Sequence, residues 1–111
     1  MERKLLFRLS TLVLLTLSFS VSAEPLSDKR QAELHNLLKR DCGSCHGMTL
    51  KGGLGPALTA EALKNKPIEL LAITISEGRP GTPMPPWKYL LSESDINWLA
   101  QTLKQQVVAK Q

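Results

Sequence analysis

The sequence predicts an all-α domain, and three observations lead to that prediction. Segments at about residues 28–41, 67–78 and 92–106 place apolar side chains every three or four positions, which is the period of a helix. Residues that commonly begin or end helices stand at the ends of these segments. Two stretches between them, 47–56 and 80–88, are rich in glycine and proline, which predicts loops and excludes regular structure there.

The first predicted helix runs directly into a segment that contains both cysteines of the chain. Asp28 and Gln31 have the spacing of a capping box at its N-terminus. Its apolar face consists of residues at helical spacing: Leu34, Leu37, Leu38 and Cys42.

Three further helices are predicted after the cysteines. The segment TAEALK, residues 59–64, is a candidate for a short one. Pro67 at a first-turn position and Gly78 as a stop bound the next; its β-branched residues would also suit a strand, but the period and the two bounds favour a helix. Ser92 and Asp95 form an acidic variant of the capping box for the last helix.

Residues 1–23 predict a cleaved secretory signal peptide. Three basic residues precede an uncharged, largely apolar run from Leu9 to Val21, and small residues lead up to Ala23. An uncleaved membrane anchor would need about 20 apolar residues, which is more than this run supplies. We therefore expect an exported chain of residues 24–111, a single domain without a stable membrane anchor.

The charge of the chain gives no reason to expect a nucleic-acid partner. The 111 residues include 14 Lys and Arg and 10 Asp and Glu, for a formal net charge of +4. Three of the basic residues and one acidic residue lie in residues 1–23, so residues 24–111 carry 11 against 9, a net charge of +2. This excess is too small to predict binding to nucleic acid or to a membrane surface.

Aromatic side chains are scarce beyond the signal peptide. Trp87, Tyr89 and Trp98 are the aromatic residues of segment 24–111. A domain of this size with so little aromatic bulk has a thin core, and a bound cofactor in its middle would help it to fold.

The segment RDCGSCHGM, residues 40–48, is compatible with several chemistries. A thioredoxin-like redox pair is expected at the start of a helix in a βαβ unit, which this helical pattern lacks. A structural zinc site needs a fourth ligand, and the other histidine, His35, lies seven residues before Cys42. A disulfide between Cys42 and Cys45 would close a very small ring and leave His46 without a role.

The spacing Cys42-x-x-Cys45-His46 is typical of c-type haem attachment. Two thiols three positions apart can reach the two vinyl groups on one side of the macrocycle, and the adjacent imidazole is then placed beneath the iron. The motif therefore predicts one covalently bound haem c, with Cys42 and Cys45 as the attachment sites and His46 as the proximal iron ligand.

The candidates for the sixth iron ligand are Met84, Met48 and His35, with open coordination as the alternative. Met48 lies only two residues after His46, too near to pass around the haem edge. His35 is expected to be an exposed residue of the first helix. Met84 lies 38 residues after His46 in GTPMPPW, where prolines hold the chain extended, so we expect Met84 to be the distal ligand.

His46 also needs an acceptor for its other ring nitrogen, because such a bond sets the tautomer and the basicity of the ligand. The segment GLGPAL, residues 53–58, offers the carbonyl of Pro56 in a glycine-bounded turn. An ordinary turn at Gly55 and Pro56 is the alternative.

The motifs CGSCHG, GPAL, PMPP and LSESDINWLAQTL occur in the order that is found in class I monohaem cytochromes c, and the chain resembles that family over residues 24–111. The resemblance implies three to four short helices around one haem, with His46 and Met84 bound to iron and electron transfer as the activity. Leu34, Leu38 and Thr102 depart from the family's usual residues, which puts in doubt the close crossing of the first and last helices, although Trp98 can fill the space.

Two longer stretches, CGSCHGMTLKGGLGPALT and EGRPGTPMPPW, resemble the small c-type cytochromes of denitrification gene clusters. That resemblance implies a periplasmic electron carrier, not an enzyme, that donates electrons to cytochrome cd1 nitrite reductase. The alternative that it implies is a protein that binds haem d1 or its precursor and delivers it to that reductase. A third hypothesis, a gas or peroxide site, requires that Met84 leave the iron unbound.

An electron carrier must meet its partner at the exposed edge of the haem. Cationic residues near the haem-binding segments can steer an acidic partner surface, and we expect Trp87 to pack near the ring or its propionates. The cationic candidates are Lys39, Arg40, Lys51, Arg79 and Lys88.

Overall fold

The computed structural model describes residues 24–105, all helices and loops, and the predicted all-α class is confirmed for them. The predicted signal peptide and the last six residues lie outside this range. The helices are α1 (Asp28–Leu37), α2 (Gly43–His46), α3 (Ala60–Leu63), α4 (Ile68–Glu77) and α5 (Glu93–Gln105), with a π-helical segment at Leu38–Cys42 and a 3₁₀ turn at Trp87–Tyr89. Within the described part of the chain, no helix is long and apolar enough to cross a membrane.

The N-terminus of α1 is capped one residue earlier than the sequence predicts. The Ser27 hydroxyl accepts a hydrogen bond from the backbone N–H of Arg30 at 3.2 Å. The side-chain amide of Gln31 donates to the carbonyl of Leu26 at 2.8 Å. The expected Asp28–Gln31 capping box is therefore wrong, because serine already satisfies the first turn and Gln31 bonds outside the helix.

The first helix continues past its predicted end at about residue 41. The π-helical segment connects α1 to α2, so that residues 28–46 follow one helical path through the cysteine motif. A π turn contains an extra residue, which rotates the side chains that follow it. Leu34 and Leu38 are buried in the core, and Cys42 is half-buried against it.

The remaining helices lie where the sequence predicts them, with one correction at α4: Pro67 has extended backbone and is the N-cap, so it precedes the first turn instead of standing in it. The predicted end of α5 near residue 106 lies outside the described residues. Thr59 caps α3 through its hydroxyl, and Gly78 ends α4 with a φ of 66°. Ser92 and Asp95 cap α5 reciprocally: the Ser92 N–H donates to Asp95 Oδ2 at 3.0 Å, and the Asp95 N–H donates to Ser92 Oγ at 3.2 Å. The exclusion of regular structure from 80–88 is wrong at its end, where the 3₁₀ turn begins at Trp87.

Lys104 joins α5 to the end of α3. Its ammonium group donates to the backbone carbonyls of Leu63, Lys64 and Lys66 at 2.7, 2.9 and 2.6 Å. Carbonyls at the end of a helix lack partners within that helix, and a cation there also opposes the negative end of the helix dipole. One lysine thus fixes the connection between α3 and α4.

The first and last helices meet through polar and aromatic contacts. Arg30 donates two hydrogen bonds to Asp95, from Nε at 3.0 Å and from Nη2 at 2.8 Å. The ring of His35 stands edge-on to the ring of Trp98 at 4.8 Å between centroids. Trp98 therefore contacts the first helix, as the sequence suggests. His35 is an exposed residue of that helix, as predicted.

The carboxyl group of Asp95 is almost entirely buried, with 4% of the residue exposed. The hydrogen bonds from Arg30 lower its pKa from 3.8 to about 2, against the opposing effect of burial, and the Ser92 bonds add to the shift. The ionised form is therefore the form that the fold stabilises.

We expect the substitution Asp95→Asn to reduce the free energy of unfolding at pH 7 by roughly 2 kcal/mol, because a carboxylate with a lowered pKa stabilises the fold while it is ionised. This contribution is complete above the unfolded pKa of 3.8 and disappears as the pH falls through about 2. Urea unfolding of the holo-protein at neutral and acidic pH measures both values.

The matched control for that measurement is Glu33→Gln, since Glu33 is the exposed second partner of Arg30 at 2.8 Å. An exposed pair of this kind contributes about 0.5 kcal/mol or less. A difference between wild type and Asp95→Asn that stays constant down to pH 2 would contradict the assignment.

Candidate functional site

Two adjoining cavities lie between the helices, and together they form one slot. Their volumes are about 380 and 280 Å³. Both sizes are in the range of ligand and cofactor sites, or just below it. Six residues line both cavities and so form the boundary between them: Cys42, His46, Pro56, Arg79, Met84 and Trp87.

The walls of the larger cavity are the hydrophobic core itself. Of the nine buried apolar residues among those described, six line this cavity: Leu38, Leu63, Leu71, Leu91, Leu99 and Leu103. Leucine side chains stabilise a core through contacts with the apolar groups around them. The slot is therefore shaped to be filled by a large apolar body.

Cys42 and Cys45 are separate thiols at one edge of the slot. Cys42 lines both cavities and Cys45 lines the smaller one. Burial raises the pKa of the Cys42 thiol to about 11, and the neighbouring charge of Asp41 adds to the shift. Cys42 is therefore a neutral thiol at physiological pH. Within residues 24–105 no group of three or more His, Cys, Asp or Glu side chains is placed to bind a metal ion.

The imidazole of His46 is held in one orientation by the backbone. Its Nδ1 lies 2.7 Å from the carbonyl oxygen of Pro56. A carbonyl can only accept a hydrogen bond, so Nδ1 carries a proton, and in the neutral imidazole Nε2 then retains its lone pair. This is the tautomer in which Nε2 can bind a metal ion.

Gly55 is required beside that ring. A Cβ at residue 55 would stand 2.8 Å from Nδ1 and 2.9 Å from Cε1 of His46. The Gly55 N–H also donates to the carbonyl of Cys45 at 2.7 Å, which ties the proline turn to the cysteine motif. Because Gly55 has no side chain, the Pro56 carbonyl can approach the imidazole of His46.

Of the candidate sixth ligands, the structure brings only Met84 to the slot. Met84 lines both cavities together with His46. The side chain of Met48 lies outside them, with 64% of the residue exposed, and His35 lies against Trp98. One thioether and one imidazole are therefore among the groups that line both cavities.

Sequence reasoning missed the part that Gly78 plays. This residue is buried, and a Cβ on it would approach the carbonyl oxygen of Met84 to 2.7 Å and the backbone of Pro85 to 2.6 Å. The sequence showed it only as the end of α4. A glycine between a helix and a proline-rich loop was a signal of close backbone packing, but its partner six residues away was not evident.

Comparison with known proteins identifies the family to which this chain is similar. The family model described as "Cytochrome C oxidase, cbb3-type, subunit III" matches residues 29–101. Cytochrome c55X of Pseudomonas aeruginosa is 55% identical over 94 residues, covering 80% of this chain and 79% of that protein. Cytochrome c55X of Paracoccus denitrificans is 46% identical over 92 residues, covering 83% and 89%. A solved structure of a c-type cytochrome NirC has a TM-score of 0.70 and 57% identity, covering 72% of this chain and 94% of that one.

This chain belongs to the c-type cytochromes. The predicted class I cytochrome c fold is confirmed, and so is the expected likeness to a small c-type cytochrome such as NirC. Members of the family bind haem c, and the slot of this cytochrome fits that group. Its walls are leucine-rich, and the donors at its edge are two thiols, one imidazole with a free Nε2 and one thioether.

We expect Gly55→Ala to destabilise the holo-cytochrome by about 1–3 kcal/mol, because the added methyl group must displace the imidazole or the turn. The measurement is denaturant unfolding followed at the haem absorption band. Gly43→Ala is the matched control, since a Cβ there meets no atom closer than 3.6 Å and the position is helical. Equal stability of the two variants would show that the close approach at Gly55 is unimportant.

Proposed function

We propose that this cytochrome is a periplasmic electron carrier with a single haem c, bound covalently through thioethers of Cys42 and Cys45, with His46 and Met84 as axial ligands. The observation that carries the proposal is the bond between His46 Nδ1 and the Pro56 carbonyl at 2.7 Å, which leaves Nε2 free in a slot that Met84 also lines. When bound, the haem supplies a one-electron couple at its iron.

The residues of the slot have distinct roles in this proposal. The Pro56 carbonyl fixes the tautomer of His46 and increases its basicity as a ligand. A thioether ligand raises the reduction potential relative to a second imidazole. With both ligands in place no coordination position is open to a substrate, which favours electron transfer over catalysis at the iron.

We propose cytochrome cd1 nitrite reductase as the redox partner and denitrification as the setting. Support comes from the likeness to the protein named NirC and from the stretches CGSCHGMTLKGGLGPALT and EGRPGTPMPPW, which are similar to those of small cytochromes from denitrification gene clusters. The predicted signal peptide supports export to the periplasm.

The cationic surface is smaller than the sequence suggests. Lys39, Arg40, Lys51 and Arg79 are exposed, and none of them forms an ion pair within residues 24–105. Lys88 instead lies 2.6 Å from Glu77, so its charge is partly compensated there and we expect it to contribute less to steering. Arg79 borders both cavities, and Arg40 comes two residues before Cys42, so these cations are the ones best placed to steer an acidic partner.

The test is stopped-flow mixing of the reduced holo-cytochrome with oxidised cytochrome cd1 over a range of salt concentrations, followed at the haem bands of both proteins. Fast oxidation that slows with added salt supports the donor role. Slow, salt-independent or absent oxidation contradicts it. Titration with haem d1 or its precursor then tests the other role, in which saturable binding would indicate a carrier of that group.

We expect Arg40→Gln to lower the second-order rate constant with cytochrome cd1 about twofold to fivefold at low salt, because it removes an unpaired charge two residues before Cys42. Lys88→Gln changes the net charge by the same amount, but Lys88 is paired with Glu77, and we expect a smaller effect. Comparison of the two rate constants therefore distinguishes an effect of the local position of the charge from an effect of net charge alone. Equal slowing by both variants would contradict a local docking site.

A further inference from the structure

The loop that carries Met84 is tethered through the backbone of Met84 itself. The Met84 carbonyl accepts a hydrogen bond from the N–H of Arg79 at 3.2 Å. The Met84 N–H donates to the Thr82 hydroxyl at 3.3 Å. Both polar backbone groups of Met84 are thus bonded within residues 79–84, and prolines on either side of Met84 restrict φ at the adjacent positions.

The Thr82 hydroxyl connects the two ends of this loop. It donates to the carbonyl of Arg79 at 2.6 Å while it accepts from Met84. The Thr82 N–H donates to the same Arg79 carbonyl at 3.1 Å, which closes a turn. A hydroxyl can donate one hydrogen bond and accept others at the same time, and neither a methyl group nor a carboxylate can do both.

We propose that Thr82 is a positioning residue for Met84, and that its hydroxyl sets how readily Met84 leaves the iron. The inference rests on the proposed function in one respect, that Met84 is the axial ligand. Thr82 acts through the backbone, because its hydroxyl bonds to the Met84 N–H rather than to the thioether.

Removing the hydroxyl has a defined consequence. The Arg79 carbonyl keeps the Thr82 N–H as a donor, and the Met84 carbonyl keeps the Arg79 N–H. The Met84 N–H alone loses its partner within the loop. The loop then retains its turn, but the backbone of Met84 keeps one hydrogen bond instead of two. This loss favours states in which the thioether has moved away from the iron.

Exchange of the sixth ligand provides the measurement. Ferric holo-protein is titrated with imidazole at fixed pH, and the weak far-red absorption band of sulfur ligation reports the Met84 bond to iron. In Thr82→Val, which keeps the shape of the side chain without the hydroxyl, we expect the apparent affinity for imidazole to rise about threefold to tenfold, the range of one lost hydrogen bond. In Thr82→Ser, which keeps the hydroxyl, we expect a value close to that of the wild type.

Thr102→Val is the matched control, because it makes the same chemical change on α5 at a residue that lines neither cavity. We expect it to leave imidazole affinity unchanged. Circular dichroism of each variant shows whether the helices are intact, so that an effect on ligation is distinguished from loss of the fold.

The outcomes distinguish this inference from the proposed function. A wild-type protein without the far-red band would overturn Met84 as the axial ligand, and the inference about Thr82 would fall with it. A wild-type protein with the band, and a Thr82→Val variant with unchanged imidazole affinity, would overturn the inference and leave the electron-carrier proposal standing. An equal rise in imidazole affinity in Thr82→Ser and Thr82→Val would also overturn the inference, because loss of the hydroxyl would then not be the cause.

Discussion

The hydrophobic core of this cytochrome surrounds a cavity, and the arrangement of the helices depends on that constraint. Two-thirds of the buried apolar residues among those described face the larger cavity. The chain has few aromatic side chains with which to close the space. Apolar burial is therefore completed by a cofactor, and binding of the cofactor and stability of the fold are linked in the sense that a ligand of the native state stabilises it.

The two segments that approach the slot as loops follow a common physical rule. A glycine stands where a backbone must come close to a proposed ligand: Gly55 at the ring of His46, and Gly78 at the backbone of Met84. A hydrogen bond then holds each proposed ligand residue: the Pro56 carbonyl accepts from the ring of His46, and the Thr82 hydroxyl accepts from the Met84 N–H. Both arrangements restrict the motion of the ligand residues, which suits a site that keeps the same ligands in both oxidation states.

The loop that carries Met84 is relevant to the choice between the two proposed functions. A carrier of electrons benefits from a sixth ligand that stays bound, whereas a protein that delivers another haem could use one that leaves. The tethers on Met84, together with the pair formed by Glu77 and Lys88 at the two ends of the loop, favour a bound ligand. This pairing also compensates part of the charge of Lys88, so within residues 24–105 the unpaired cations among the candidates are Lys39, Arg40, Lys51 and Arg79.

Much of the fold, together with the candidate residues of the site, could be predicted from the sequence alone, because the relevant signals are local. Helical periodicity, the Ser92–Asp95 cap and the spacing of Cys42, Cys45 and His46 all operate over a few residues. The prediction was wrong at the start of α1, where Ser27 and Asp28 are both residues that can cap a helix and Ser27 is the cap. Only the tertiary structure decided which contacts join residues that are far apart: Arg30 with Asp95 across 65 positions, Lys104 with the carbonyls that follow α3, and the cavity that assembles core leucines around the slot. These contacts arise when helices pack, and packing depends on the combined shape and charge of many side chains, which no single stretch of sequence contains.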